Sequence, residues 1–226
     1  MLRFRIFRLN LNIHLTVGLI FLILLQFGWG AQGAVVAFVA IVLSVLIHEL
    51  GHAAVAADAG ARVGGITLHA FGGFTTWSGK VSWLQKMMIS LAGSAVQVVL
   101  GAIVYTAGAL GWFGDTVALV LDNPISPDFG LALFLGDITA LFVAMFVWAS
   151  IFWGLINLLP VGGLDGSHIL AELLERWLPG RGRMHAAVIG LIVAVVLGVV
   201  LWSRGFGILP FLFVFYAVRD LMALRK

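Results

Sequence analysis

The residues His48-Glu49-Leu50-Gly51-His52 put two imidazoles four positions apart, with a carboxylate beside the first. On a helix, positions i and i+4 share a face, so His48 and His52 can bind one zinc ion while Glu49 serves water as a base. That is hydrolase chemistry. With three Glu and six His in 226 residues, chance supplies an H-E-x-x-H match in roughly 0.2% of such chains. The pentad also ends an apolar run that begins near Ala34. An ionisable residue near the middle of a lipid-facing helix costs about 2.5–3.5 kcal/mol on insertion scales, and a metal bound by its neighbours offsets that cost. The plainer alternative is a pair of buried histidines packed against other helices.

Hydrophobic residues are 62% of the chain and charged residues 10%, against about 45–50% and about 25% in soluble proteins. The composition describes an integral membrane protein. Apolar stretches near the roughly 20 residues that a spanning helix needs lie at about 13–29, 34–57, 87–110, 138–158, 184–203 and 206–224. Asn123-Pro124 and Ser126-Pro127 interrupt the segment 115–135, which reads as a loop or re-entrant element. Between the second and third spans, Ile66-Thr67-Leu68-His69 alternates, and Gly72-Gly73 precedes Phe74-Thr75-Thr76-Trp77. The expected fold is therefore an all-α integral membrane protein of about six transmembrane helices, with a short membrane-associated β-hairpin after the second. The hairpin is expected to dip beside the histidines, because extended backbone at membrane depth must be buried in protein or line a cavity. Residues 1–226 are read as a single transmembrane domain, with a catalytic core over about 13–166 and C-terminal helices over about 184–224.

Charge sets the expected orientation. With a cytoplasmic N-terminus, six spans place all thirteen Lys and Arg except Arg204 on the cytoplasmic side, and both termini there. Asp115, Asp122 and Asp128 fall outside. The net charge of +3 is then a topogenic signal and gives no support to a nucleic-acid partner. The basic start and first apolar stretch are read as a retained helix, since the apolar run exceeds a usual signal peptide. Several Trp, among them Trp29, Trp83, Trp112 and Trp202, stand near span ends as an interfacial belt. The chain has no Cys, so thiolate ligands and disulfides are excluded.

Two histidines do not complete a catalytic zinc sphere, which takes three protein ligands and a water. A candidate third is Asp165, in Asn157-Leu158-Leu159-Pro160-Val161-Gly162-Gly163-Leu164-Asp165-Gly166, just past the cytoplasmic end of the fourth expected span. Pro160 and the glycines around it break the helix there and free backbone groups for a polar site.

These two motifs resemble those of the site-2 protease family of intramembrane zinc metalloproteases. The family's H-E-x-x-H matches His48 to His52, and its N-x-x-P-x-x-x-x-D-G segment matches Asn157, Pro160, Asp165 and Gly166. Phe71-Gly72-Gly73 resembles the hairpin of the minimal branch related to the sporulation-factor processing protease, which lacks PDZ and CBS domains. The likeness covers about 13–165 and weakens beyond. The family often carries Gly-Pro and an Asn in the third span; here Ala92-Gly93-Ser94 is followed by Gln97, so the resemblance assigns that helix no polar role.

The resemblance implies one zinc per chain held by His48, His52 and Asp165. Glu49 would be the general base that also carries a proton to the leaving amine, and Asn157 would touch the substrate backbone or the tetrahedral intermediate. It implies a transmembrane protein as substrate, cut near the cytoplasmic face of a multi-pass, prokaryotic cell membrane. Such cleavage serves regulated intramembrane proteolysis or clearance of signal peptides. Gly72 and Gly73 would bind the unwound substrate strand. His14, His69 and His185 read as interfacial residues; His168 follows Asp165 by three, but as a fourth ligand it would close the sphere and exclude water. A zinc transporter would scatter ligands at several depths, whereas these cluster at one level. A catalytically inactive scaffold has no need of Glu49, both His and Asp165 together.

Overall fold

The computed structural model describes residues 2–6, 9–70, 72–204, 211, 213–216, 218 and 222. The chain forms two compact units, Met1–Lys80 with Ala92–Leu155, and Val81–Leu91 with Ile156–Lys226.

In the first unit, strict alternation in Leu2-Arg3-Phe4-Arg5-Ile6 and Leu9-Asn10-Leu11-Asn12-Ile13 has the two-residue period of a strand. The two segments pair antiparallel as β1 (Leu2–Ile6) and β2 (Leu9–Ile13). A 3-10 turn over Leu15–Val17 leads into α1 (Gly18–Leu25) and α2 (Gly30–Asp58). The chain then returns to the sheet. β3 (Arg62–His69) lies parallel to β2, with Leu11 opposite Ile66, and β4 (Gly72–Ser78) runs antiparallel to β3. A parallel step requires a crossover, which α1 and α2 supply. The order β1-β2-β3-β4 leaves β4 at an edge. Leu11, Ile66 and Leu68 bury with Ala53 of α2 in one apolar cluster, which fixes the sheet against the segment carrying the histidines.

Helix α3 (Trp83–Ala109) starts in the second unit and ends in the first. Two short helices follow, α4 (Asp115–Val120) and α5 (Phe129–Phe134), and then α6 (Ile138–Ile156). Val117 and Val120 of α4, Leu121 just after it and Ala132 of α5 bury against Ala140, Leu141, Ala144 and Val147 of α6. The segment expected as a loop or re-entrant piece is thus two helices seated in the core of this unit, joined through Asn123, whose side chain accepts from the Ile125 and Ser126 amides.

The second unit holds the start of α3, then α7 (Asp165–Trp177) and α8 (Gly182–Ser203). Val161 and Leu164 bury with Ala194. Glu172 of α7 pairs with Lys86 at 3.4 Å and with Arg183 at 3.7 Å. Between α7 and α8, the Glu175 carboxylate accepts from the Gly180 and Arg183 amides at 2.7 and 3.2 Å. Those amide bonds, that of Gly180 first, hold its pKa below the usual carboxylate range.

Four of the expected spans coincide with helices long and apolar enough to cross a membrane: α2, α3, α6 and α8, of 29, 27, 19 and 22 residues. The first expected span differs. Only its first residue, Ile13, belongs to β2, and the apolar helix that follows, Leu15–Leu25, rises only about 16 Å against roughly 30 Å of hydrocarbon. The sixth, 206–224, lies mostly outside the described residues, as does Phe71. An all-α description is also too narrow. The paired strands after α2 belong to a four-stranded sheet, half of which comes from a basic N-terminal segment whose alternation a search for long apolar runs passes over.

Candidate active site

The histidines stand on α2 one turn apart, as their spacing requires, and both are buried with Glu49. Their Nε2 atoms face each other at 3.0 Å, with the ring planes 83° apart. Two nitrogens bound to one tetrahedral zinc at about 2.05 Å lie roughly 3.3 Å apart. The two imidazoles therefore already stand close to the separation a shared zinc ion imposes, and the N/N donor set suits that metal.

Small residues create the room. A Cβ on Gly51 would meet the Ala92 carbonyl oxygen at 2.8 Å, and one on Gly93 would collide with the His52 ring. Gly51 within the pentad is thus a contact point of α2 with α3, and Gly93 is the place where the His52 imidazole sits against bare backbone.

Glu49, one residue on from His48, points toward the sheet. The Thr75 hydroxyl lies 2.8 Å from Glu49 Oε2 and 3.0 Å from the Glu49 main-chain oxygen, and donates into this pair of acceptors. Gly73 shares the inward face of β4 with Thr75, two residues away. A Cβ there would come within 2.7 Å of Glu49 Oε1. Gly72 differs from its neighbour: it has φ +121° and nothing within 4 Å of a Cβ, so its conformation at the turn is what favours glycine.

Behind His48 lies a buried polar chain. Its Nδ1 is 3.0 Å from Gln97 Oε1 on α3, and Gln97 Nε2 donates to Ser44 Oγ at 2.8 Å and to the Ala149 carbonyl at 3.3 Å. Ser44 stands one turn before His48, and its hydroxyl is 2.9 Å from that of Ser150 on α6.

In the second unit, Asp165 is the first residue of α7, where the helix dipole favours a carboxylate. The Gly166 amide donates to the Asn157 carbonyl at 2.8 Å, so the ends of the Asn157–Gly166 motif are drawn together around Pro160. Gly166 is obligatory there, because a Cβ would collide with the Leu158 carbonyl. Asn157 and Asp165 are both half-buried. His168 is exposed, and so is His185, whose Nδ1–H donates to the Arg181 carbonyl. His14 is exposed and caps the 3-10 turn by accepting from the Thr16 amide. Half-buried His69 lies against Phe74, at 5.8 Å between ring centroids. Burial first, and the charge of His14 second, hold the pKa of His69 below its ordinary 6.5.

Sequence patterns pointed to His48, Glu49 and His52 but passed over Thr75, Gly93 and the Ser44–Gln97 pair. For Gln97 a signal existed: a polar amide inside an otherwise apolar span requires partners. For Thr75 the signal was its alternation with Gly73 on one strand face.

The profile of Peptidase family M50 matches residues 36–200, which contain the pentad, the buried polar chain and the Asn157–Gly166 motif. The chain belongs to that family, the site-2 proteases, and its four long apolar helices make it a membrane protein. Its fold is also that of the "Site-2 Protease from Methanocaldococcus jannaschii", with a TM-score of 0.67 over 97% of this chain and 94% of that one, at 22% identity. In sequence it is 33% identical over 174 residues to the "Putative zinc metalloprotease Rip3" of Mycobacterium tuberculosis, from strains Erdman and H37Rv. The match takes in 74% of this chain and 38% of each relative, so the chain spans well under half the length of these relatives.

Proposed function

We propose that the protein is a zinc-dependent intramembrane endopeptidase that hydrolyses peptide bonds within transmembrane segments of other proteins, near the cytoplasmic face of the membrane. The observation that carries this reading is the pair of buried Nε2 atoms 3.0 Å apart on a membrane-length helix, with the Glu49 carboxylate beside them. His48, His52 and Asp165 are assigned as the ligands of one zinc ion, each offering one atom. Family membership and the paired motifs support Asp165 as the third. A zinc ion so held supplies a Lewis acid that lowers the pKa of water toward about 7 and stabilises negative charge on the scissile carbonyl oxygen.

The protein groups divide the remaining work. Glu49 takes a proton from the attacking water and returns it to the leaving amine, so one carboxylate serves as base and then acid. The Thr75 hydroxyl fixes the plane of that carboxylate, which has about four acceptor sites. Asn157 is assigned to the substrate backbone. The substrate strand pairs with β4, the edge strand whose Thr75 meets Glu49. Gly73 lets that strand lie directly over the base, and Gly72 forms the turn that leads into it.

The deciding experiment uses purified protein in bilayer vesicles with a transmembrane substrate. Glu49→Gln should retain zinc and lose at least about 10²-fold in cleavage. Substantial residual proteolysis in that variant would overturn the mechanism.

A further inference from the structure

We infer that Gln97 is a positioning residue that fixes the His48 imidazole as its Nδ1–H tautomer and so reserves Nε2 for the metal. The inference rests on the assignment of His48 as a zinc ligand. It concerns a helix to which the family motifs gave no polar role.

The argument begins at the Ala149 carbonyl on α6. A main-chain carbonyl only accepts, so the Gln97 atom 3.3 Å from it must be the amide NH2. The same NH2 donates to Ser44 Oγ at 2.8 Å. That fixes the orientation of the amide, and Oε1 is left facing His48 Nδ1 at 3.0 Å. Oε1 has no proton to give, so Nδ1 must carry the proton and Nε2 the lone pair. His48 Nε2 is the atom that faces His52 Nε2. The tautomer needed for metal binding is thus set two hydrogen bonds away, by a peptide carbonyl on another helix.

Burial makes the arrangement binding. Gln97 is 1% exposed and Ser44 0%, so neither can exchange a lost partner for water. The approach of the helices is itself specified: a Cβ on Gly101 would meet the Ser150 side chain at 2.7 Å, and one on Gly154 would meet Val98 at 2.7 Å and Gln97 Oε1 at 3.3 Å. Without those glycines α3 could not stand close enough to α6 for Gln97 to reach Ala149.

The test compares cobalt(II) affinity and the cobalt visible spectrum of the wild type with those of Gln97→Leu, Gln97→Glu and His48→Ala in detergent. Gln97→Leu keeps the volume and loses the acceptor; metal affinity should fall about 10–100-fold with a shifted cobalt band. Gln97→Glu keeps an acceptor for Nδ1–H but loses the donor to Ser44 and Ala149, so its metal affinity should stay above that of Gln97→Leu. A purely packing role predicts the reverse order, with Leu tolerated and the buried Glu disruptive; that order, or equal affinities, would overturn the inference. If Gln97→Leu does not fold, Ser44→Ala, which releases the amide from one partner, should weaken cobalt in the same sense, and unchanged affinity there counts against the proposal. Undiminished binding by His48→Ala would instead remove the ligand assignment beneath it, a separate failure.

Discussion

Thr75 and Glu49 pair a neutral hydroxyl with the carboxylate assigned as base, so the strand tunes the helix at a single atom. Removing that hydroxyl while keeping the shape should misorient the base without disturbing the histidines. Thr75→Val is expected to lower cleavage about 10–100-fold at unchanged zinc content, while Thr75→Ser stays near wild type. The check is a cleavage assay run beside metal analysis; equal activity of the Val variant would show that Glu49 orients itself. At the ligands the expectation is different in kind. His52→Ala and Asp165→Ala should each lose most bound zinc, because the proposed three-ligand site, reduced to two, would hold the ion weakly. Stoichiometric zinc in Asp165→Ala would remove it from the sphere.

β4 lies against Glu49 of α2 at Gly73, where the absence of a side chain makes room for the carboxylate. Gly73→Ala would drive a methyl into the Glu49 side chain, and a displacement near 1 Å at a catalytic group costs about 10²-fold in rate. We expect that loss with zinc retained; normal cleavage by Gly73→Ala would show that the strand yields easily. The collision also means that lost activity on enlarging Gly73 does not by itself demonstrate substrate pairing. The same sheet carries a pH dependence. The folded pKa of His69 is lowered, so the unfolded chain binds its proton more readily, and the stability His69 contributes is full above 6.5 and lost as pH falls below it. Between about pH 7.5 and 5.5 the wild type should lose more thermal stability than His69→Gln, measured by melting in detergent. Equal losses would place the acid sensitivity elsewhere.

For the molecule as a whole, zinc bound at the proposed site would add stability by mass action, about 2.7 kcal/mol at a free concentration of 100 Kd. Chelation should therefore lower the melting temperature of the wild type and leave that of His48→Ala nearly unchanged. A chelator that shifts both equally would be acting elsewhere than this site. The long helices supply the frame in which such a site can exist, since an imidazole pair and a carboxylate on one helix are tolerable in a bilayer only when enclosed by protein.

The sequence by itself determined the membrane class, four of the spanning segments and the helix face shared by His48 and His52, because apolar run length and the 3.6-residue period are local properties. It also revealed the two motifs that belong to one protease family. The N-terminal strands were equally local, written in the alternation of Leu2 to Ile6, but they lay outside a search tuned to long apolar runs. Tertiary structure alone decided what surrounds the site. Thr75 reaches Glu49 across 26 positions and Gln97 reaches His48 across 49, and no local period encodes contacts of that separation. Whether Gly51, Gly93 and Gly73 matter depends on what a Cβ would strike, which is a property of the neighbouring backbone once the helices and the sheet have packed.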